Sequence, residues 1–128
     1  MHTVYKLGDL SGRTLMAVIF LLAGLQKIGG YAGTQAYMES VGVPGMLLPL
    51  VIALEIGGAL ALILGFQLRL AALALAGFSV ASAVLFHAQF GDQTQTILFL
   101  KNLAMAGGFL ILASHPPGAW TLDARRAT

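Results

Sequence analysis

The sequence predicts an all-α fold, an antiparallel bundle of four transmembrane helices. Two observations support this prediction. The first is composition: 58% of the 128 residues are hydrophobic and only 9% are charged, whereas a soluble domain carries about 25% charged residues. The second is that the apolar residues fall into four long segments separated by glycine and proline. So few charges cannot cover a surface that faces water, and the length suits one domain over residues 1–128.

Each apolar segment is close to the length that crosses a bilayer as a helix, about 17–25 residues. The four predicted spans cover residues 10–28, 46–66, 70–87 and 97–114. Helix-breaking residues lie at their ends, with Gly29-Gly30 after the first span, Pro44-Gly45 before the second and Pro116-Pro117 after the fourth. These breaks separate the spans.

The connections between the spans indicate how the helices are arranged. Residues 67–69 join the second and third spans, and so short a link implies adjacent antiparallel helices. Residues 29–45 form a longer link that contains Tyr31 and Tyr37, which suit the headgroup region. We expect a short turn of helix in this link.

The distribution of positive charge predicts the orientation. An even number of spans places both termini on one side, and that side carries more basic residues than the other, which holds Lys27 and Lys101. The positive-inside rule therefore predicts cytoplasmic termini. The first span could instead be a signal peptide, but Asp9 and Lys27 suit one poorly and no clear small-x-small cleavage site follows. We expect a retained first helix.

Composition also excludes several kinds of chemistry. The chain has no cysteine, which excludes disulfides, thiolate metal sites and cysteine nucleophiles. Its histidines, His2, His87 and His115, lie far apart, so we predict no metal or haem site. The few basic residues form no stripe that would bind nucleic acid. Any electrons handled here must be carried by a bound cofactor or a lipid-soluble quinone.

Glu55 is the residue that most strongly indicates a function. It lies near the middle of the second span, where a carboxylate costs about 2.5–3.5 kcal/mol by insertion scales. The cations that could approach it are Lys27 and Lys101. We expect Glu55 either to pair, with Lys101 as the favoured partner, or to be protonated. An ion pair with a purely structural role is the alternative.

All four spans place polar groups in the outer half of the membrane, which predicts a polar pocket there. The candidate catalytic residues are Glu55 and Lys101, and the candidate cofactor-binding residues are Lys27, Ser82, His87 and Asn102. The two carbonyl oxygens of a quinone need hydrogen bonds and protons, which lysine, histidine and a carboxylate could supply. The alternative for the lysines and the histidine is simple placement at the interface.

A stripe of small residues suggests a second hypothesis. Ala53, Gly57, Ala61 and Gly65 recur every four residues on one face of the second span. Helix packing within the bundle is the simplest explanation. The stripe could also dock the protein, as a homo-oligomer or as a non-catalytic subunit of a larger membrane complex. A small transporter with Glu55 as a proton-coupled site is a third hypothesis.

The order and spacing of several motifs resemble those of the DoxX family of small bacterial membrane proteins. The resemblance covers residues 13–123, and its motifs are Arg13, FLLAGLQK at 20–27, GVP at 42–44, EIGG at 55–58, LG at 64–65, Arg69, His87, KNLA at 101–104, GG at 107–108 and GAWTLD at 118–123. It implies a four-helix bundle in the bacterial inner membrane with cytoplasmic termini. Some family members are associated with quinone-linked oxidoreductases, including thiosulfate oxidation, and with resistance to quinone stress, and others with transport or assembly. The absence of cysteine excludes a thiol-based version of this chemistry.

Overall fold

The computed structural model describes residues 2–126, which fold as an all-α bundle. Its elements are α1 (His2–Gly29), α2 (Tyr31–Ser40), a 3-10 turn (Gly45–Leu47), α3 (Leu48–Leu64), α4 (Leu68–Phe86), α5 (Gln93–Ala113) and α6 (Leu122–Arg126). Four of these elements are long and apolar enough to cross a membrane, and they span Thr3–Gly29, Gly45–Leu64, Leu68–Phe86 and Gln93–Ala113. The predicted four-helix bundle is confirmed, and α2 confirms the expected helix in the first link.

Two of the long helices begin well before the apolar segments that predicted them. Helix α1 covers His2–Gly29, so it begins eight residues before the predicted span. Its first turns contain polar residues, which can be helical outside the bilayer core. Helix α5 begins at Gln93, where Asp92 caps it: the carboxylate Oδ1 accepts hydrogen bonds from the backbone N–H groups of Thr94 at 2.9 Å and Gln95 at 3.4 Å. Hydropathy thus marks the part of a helix that suits the bilayer, and capping marks where the helix starts.

The core joins two close pairs of helices. Helix α1 packs against α3, α4 packs against α5, and α3 packs against α4. Small residues such as Ala17, Ala59 and Ala72 are fully buried, as expected where transmembrane helices approach closely. The rings of Phe20 in α1 and Phe109 in α5, with centroids 5.5 Å apart, close the bundle.

Helix α2 and residues 87–92 lie at one end of the bundle, which we call the loop end. Met38 of α2 is buried, and the Tyr37 ring stacks on Phe86 with centroids 5.5 Å apart. The Gln35 side chain donates a hydrogen bond from Nε2 to the backbone carbonyl of Gly45, 3.2 Å away. These contacts hold α2 against α3 and α4.

The opposite end, the terminal end, holds the start of α1 and the segment 115–126, which we call the C-terminal strap. The Lys6 ammonium lies 5.9 Å from the centroid of the Trp120 ring. The Asp123 carboxylate accepts hydrogen bonds from the backbone N–H groups of Gln67 (2.8 Å) and Leu68 (2.7 Å), at the start of α4. The strap therefore folds back onto the bundle and caps one of its helices.

The small-residue stripe of α3 is not one continuous surface. Ala53 and Gly57 are exposed, and a Cβ atom added at Gly57 would meet nothing within 4 Å. Gly65 is buried, and a Cβ atom there would collide with Thr121 of the C-terminal strap. Gly65 also has a positive φ of 71°, which favours glycine. Only the half of the stripe nearer the loop end faces outward.

Candidate functional site

Glu55 lies near the middle of α3, and its side chain is almost completely buried, at 4% exposure. Its partner is Lys27, near the end of α1. The lysine Nζ atom lies 2.9 Å from Oε1 and 3.2 Å from Oε2 of the carboxylate, and the hydrogen bond goes to Oε2. The lysine side chain is 27% exposed and also lines the cavity described below.

The expectation that Lys101 pairs with Glu55 is wrong. The buried positions of α5 include Ala106, Phe109 and Ala113, and Asn102 extends this face by one turn. Lys101 is one residue away from that face, which turns it by about 100°. Its side chain is accordingly exposed on the outside of the bundle.

Lys27 reaches Glu55 because it continues the buried face of α1. Arg13, Ala17, Phe20 and Gly24 are all buried at spacings of four, three and four residues, and Lys27 follows three residues later. Gly24 allows close approach of the two helices, because a Cβ atom there would lie 2.5 Å from a side-chain carbon of the neighbouring α3 residue, Ile56. This spacing is the sequence signal that distinguishes Lys27 from Lys101.

One oxygen of the Glu55 carboxylate accepts no hydrogen bond among the described residues. This oxygen, Oε1, is buried beside the Lys27 charge. Oε1 is the nearer oxygen, at 2.9 Å, but the hydrogen bond of the pair goes to Oε2 at 3.2 Å. A buried acceptor without a donor is uncommon and costly. The carboxylate therefore has unused acceptor capacity, and Lys27 makes one hydrogen bond among the described residues.

The pair lies on the wall of a cavity of about 330 Å³ at the loop end. Residues of α2, α3 and α4 form most of the lining, Lys27 contributes from α1, and the lining is predominantly apolar. The polar side chains on its wall are Lys27, Thr34, Tyr37, Glu55, Ser82 and His87. A mostly apolar cavity with a few polar groups on one side is typical of a small-molecule site.

A second, smaller cavity of about 140 Å³ lies toward α1 and α5. The two cavities share Glu55, Phe78, Ser82 and His87 on their walls, and Asn102 lines only the smaller one. Glu55 therefore stands between two spaces at the loop end. Of the predicted site residues, only Lys101 lines neither cavity.

His87 is held by a side chain of the following helix. Its Nδ1 atom lies 2.9 Å from Oε1 of Gln95. An amide oxygen can only accept, so we assign the proton of the neutral ring to Nδ1, which leaves Nε2 as an acceptor. Ser82 lines both cavities, whereas Ser79 lines only the smaller one and its hydroxyl donates to the Leu75 carbonyl at 2.8 Å.

Arg13 is a buried charge whose importance the sequence did not reveal. Its side chain is 1% exposed, and its guanidinium donates to the Asp9 carboxylate at 3.0 Å. It also donates to the backbone carbonyls of Leu62 (2.7 Å), Ile63 (3.0 Å) and Trp120 (2.8 Å). Four of its five N–H donors are thus used to join α1, α3 and the C-terminal strap. Arg13 stabilises the terminal end and leaves little capacity for a ligand.

The Lys27–Glu55 pair differs from Arg13 because it combines a donor and an acceptor that both have capacity left. Such a pair can bind a polar group of a small molecule whose remaining surface is apolar. Among the described residues, no group of three or more His, Asp or Glu side chains is placed to hold a metal ion.

Two relatives are similar to the chain over nearly its whole length. "Inner membrane protein YqjF" of Escherichia coli (strain K12) is 50% identical over 123 residues, which cover 96% of this chain and 95% of the relative. "Inner membrane protein YphA" of the same organism is 36% identical over 124 residues, which cover 91% and 88%. The chain is accordingly a multi-pass protein of the inner membrane, in contact with the lipid bilayer.

A third relative matches over part of the chain. The Bacillus subtilis (strain 168) protein named "Putative oxidoreductase CatD" is 29% identical over 70 residues, which cover 55% of this chain and 52% of the relative. No solved structure matches the chain. The DoxX family matches residues 8–88, a stretch that contains Arg13, Lys27, Glu55, Ser82 and His87. Together with the two full-length relatives, this match shows that the chain belongs to the DoxX family of integral membrane proteins.

Proposed function

We propose that the protein is a redox-associated membrane component that binds a quinone in the 330 Å³ cavity at the loop end. The observation that carries this proposal is the buried Lys27–Glu55 pair on the wall of an apolar cavity, with donor and acceptor capacity left. Under the positive-inside prediction, this cavity lies in the outer half of the membrane.

The cavity has the properties that a quinone ring requires. Its volume falls within the range of about 300–1,000 Å³ that small-molecule sites occupy. A quinone carbonyl accepts hydrogen bonds, and the Lys27 ammonium has donors beyond the one that it gives to Glu55. The rings of Phe78 and Phe86 line the cavity and offer apolar surface to the quinone ring. A bound quinone would carry electrons, for which this chain has no cysteine side chain.

Five of the six predicted site residues have a role in this proposal. Lys27 donates to a head-group carbonyl, and Glu55 holds Lys27 in place and can take up a proton at Oε1. Ser82 and His87 lie on the same wall and orient the head group, while Asn102 borders the second cavity behind Glu55. Lys101 has no role, because it lies outside both cavities. The printed name of the Bacillus subtilis relative supports a redox function, although that match covers about half of each chain.

The test is purification from native membranes in a mild detergent, followed by lipid extraction and mass spectrometry. We expect a stoichiometric quinone with the unmodified protein. Lys27→Gln/Glu55→Gln should lose it, because the double substitution removes both charges and leaves neither one unpaired. Lys101→Gln changes a lysine outside the cavities and should retain the quinone. Absence of quinone from the unmodified protein, with no binding of added quinone, would contradict the proposal.

A second candidate function is that of an accessory subunit that docks to another membrane protein or to a second copy of this chain. The exposure of Ala53 and Gly57 favours it, because small residues allow another helix to approach closely. The same purification tests it: a stoichiometric partner protein without quinone would favour docking over quinone binding. Gly57→Leu should then release the partner.

A further inference from the structure

Within the described part of the chain, Glu55 Oε1 lacks a hydrogen-bond donor, and a head group that can donate to it would bind more favourably than one that cannot. Oε1 is an acceptor, and it is buried without a hydrogen-bond donor among the described residues. Lys27 Nζ is a donor, 2.9 Å from that oxygen. A group that matches both must donate and accept at the same point. A hydroxyl does so, and a carbonyl does not, because it only accepts.

We propose that the Lys27–Glu55 pair recognises a phenolic hydroxyl, so that the cavity binds the hydroquinone form of its ligand more tightly than the quinone form. This inference rests on the proposed quinone-binding function. The hydroxyl donates to Glu55 Oε1 and accepts from Lys27 Nζ. The quinone carbonyl satisfies Lys27 but leaves the buried carboxylate oxygen without a donor, which is the costly arrangement.

His87 adds to the same preference. It lines the cavity together with the pair, and its Nδ1 is engaged by Gln95 at 2.9 Å. The remaining nitrogen of the neutral ring, Nε2, is an acceptor. A hydroquinone carries two hydroxyl groups, whereas a quinone carries none. The polar side of the cavity therefore has acceptors that only the reduced form can satisfy with donated hydrogen bonds.

The expected size of the preference follows from the charged acceptor. A hydrogen bond to a charged group is among the stronger ones in proteins, so we expect the reduced form to bind about tenfold more tightly, or better. By linkage, tenfold tighter binding of the reduced form raises the potential of the bound couple by about 30 mV for two electrons. When the two free forms are equally abundant, the protein would then hold its ligand mainly in the reduced state.

The experiment measures binding to the purified protein in lipid nanodiscs by titration calorimetry under anaerobic conditions. Three ligands share one ring and tail: decylubiquinone, its hydroquinone, and the dimethyl ether of that hydroquinone, which has acceptors but no donors. We expect the hydroquinone to bind at least tenfold more tightly than either of the others. Glu55→Gln should reduce this preference severalfold, whereas Glu39→Gln, a change at an exposed carboxylate of α2, should leave it intact.

The outcomes separate the inference from the function on which it rests. Equal binding of the two redox forms, or tighter binding of the quinone, would overturn the inference while leaving the proposed function in place. Failure of all three ligands to bind would overturn both. A preference for hydroquinone that persists in Glu55→Gln would overturn the assignment to Glu55. The comparison of ligands on the unmodified protein decides the main point even if the Glu55 variant does not fold.

Discussion

The two ends of the bundle each bury a charged side chain, and they treat it in opposite ways. At the terminal end, Arg13 is 1% exposed and donates four hydrogen bonds to a carboxylate and three backbone carbonyls. At the loop end, Glu55 is 4% exposed, receives one hydrogen bond from Lys27, and faces a cavity. A buried charge is costly in both places. Arg13 uses four of its five N–H donors within the protein, so it acts as a structural joint between α1, α3 and the C-terminal strap. Among residues 2–126, Glu55 accepts only one hydrogen bond, so its carboxylate has acceptor capacity left for a ligand.

The largest expected effect comes from breaking the satisfied end. Arg13→Met removes the donors for Leu62, Ile63 and Trp120 and leaves Asp9 without its partner. We expect the free energy of unfolding to fall by about 3–5 kcal/mol, as for other buried ion pairs that lose one member. Reversible unfolding in mixed detergent micelles measures this change.

Arg69→Met is the matched control for that measurement. Arg69 is exposed and donates one hydrogen bond, to the Ala113 carbonyl at 2.9 Å. Its loss should cost only about 0.5–1.5 kcal/mol. If Arg13→Met were no more destabilising than Arg69→Met, Arg13 would not be the structural joint of the terminal end.

A smaller effect is expected where the C-terminal strap meets α3. Gly65→Ala places a Cβ atom against Thr121 at a backbone φ of 71°, so we expect a loss of about 1–3 kcal/mol. Gly57→Ala lies on the same stripe of α3 but in open space, and it should stabilise the helix by up to about 1 kcal/mol. The same unfolding measurement compares them. Equal effects would mean that the strap does not press against Gly65.

The C-terminal strap also caps α4 through Asp123. The effect of this cap on stability can be measured by comparing Asp123 with Asp92, which caps α5. The two carboxylate oxygens of Asp123 each accept from a different N–H group, of Gln67 and of Leu68. Asp123→Asn replaces one of these oxygens by a donor and should cost about 1 kcal/mol. Asp92 uses Oδ1 alone to cap α5, so Asp92→Asn should cost close to nothing. A thermal unfolding midpoint that falls equally in both variants would contradict the double cap.

The sequence predicted the bundle well because apolar length and glycine or proline breaks are local signals. The four apolar segments correspond to α1, α3, α4 and α5, and a short link joins α3 to α4 as expected, although it covers residues 65–67 and not 67–69. The starts of α1 and α5 were placed too late, because hydropathy does not register polar turns of helix or the Asp92 cap. These differences change the lengths of the helices and leave the architecture intact.

The candidate site was predicted less completely, because it depends on which helix faces which. Depth along the membrane singled out Glu55 and offered Lys27 and Lys101 as partners, but depth does not give direction around a helix. The spacing of Arg13, Ala17, Phe20 and Gly24 contained that information for α1. The role of Arg13 was beyond local reasoning, since two of its three carbonyl partners lie near residue 62 and the third belongs to the strap.

Only a small effect on stability is expected when the Lys27–Glu55 pair is replaced, and this variant provides the most direct test of the account. Lys27→Gln/Glu55→Gln removes both charges together and keeps the side-chain volumes similar, so no buried charge is left unpaired. We expect the free energy of unfolding to change by less than about 1 kcal/mol, since replacing a whole buried pair is often neutral. The affinity for added quinone and hydroquinone, measured on the same nanodisc preparation, should fall at least tenfold. The account would be contradicted if the double variant were destabilised as much as Arg13→Met while its ligand affinity stayed unchanged. The Lys27–Glu55 pair would then be a structural joint like Arg13.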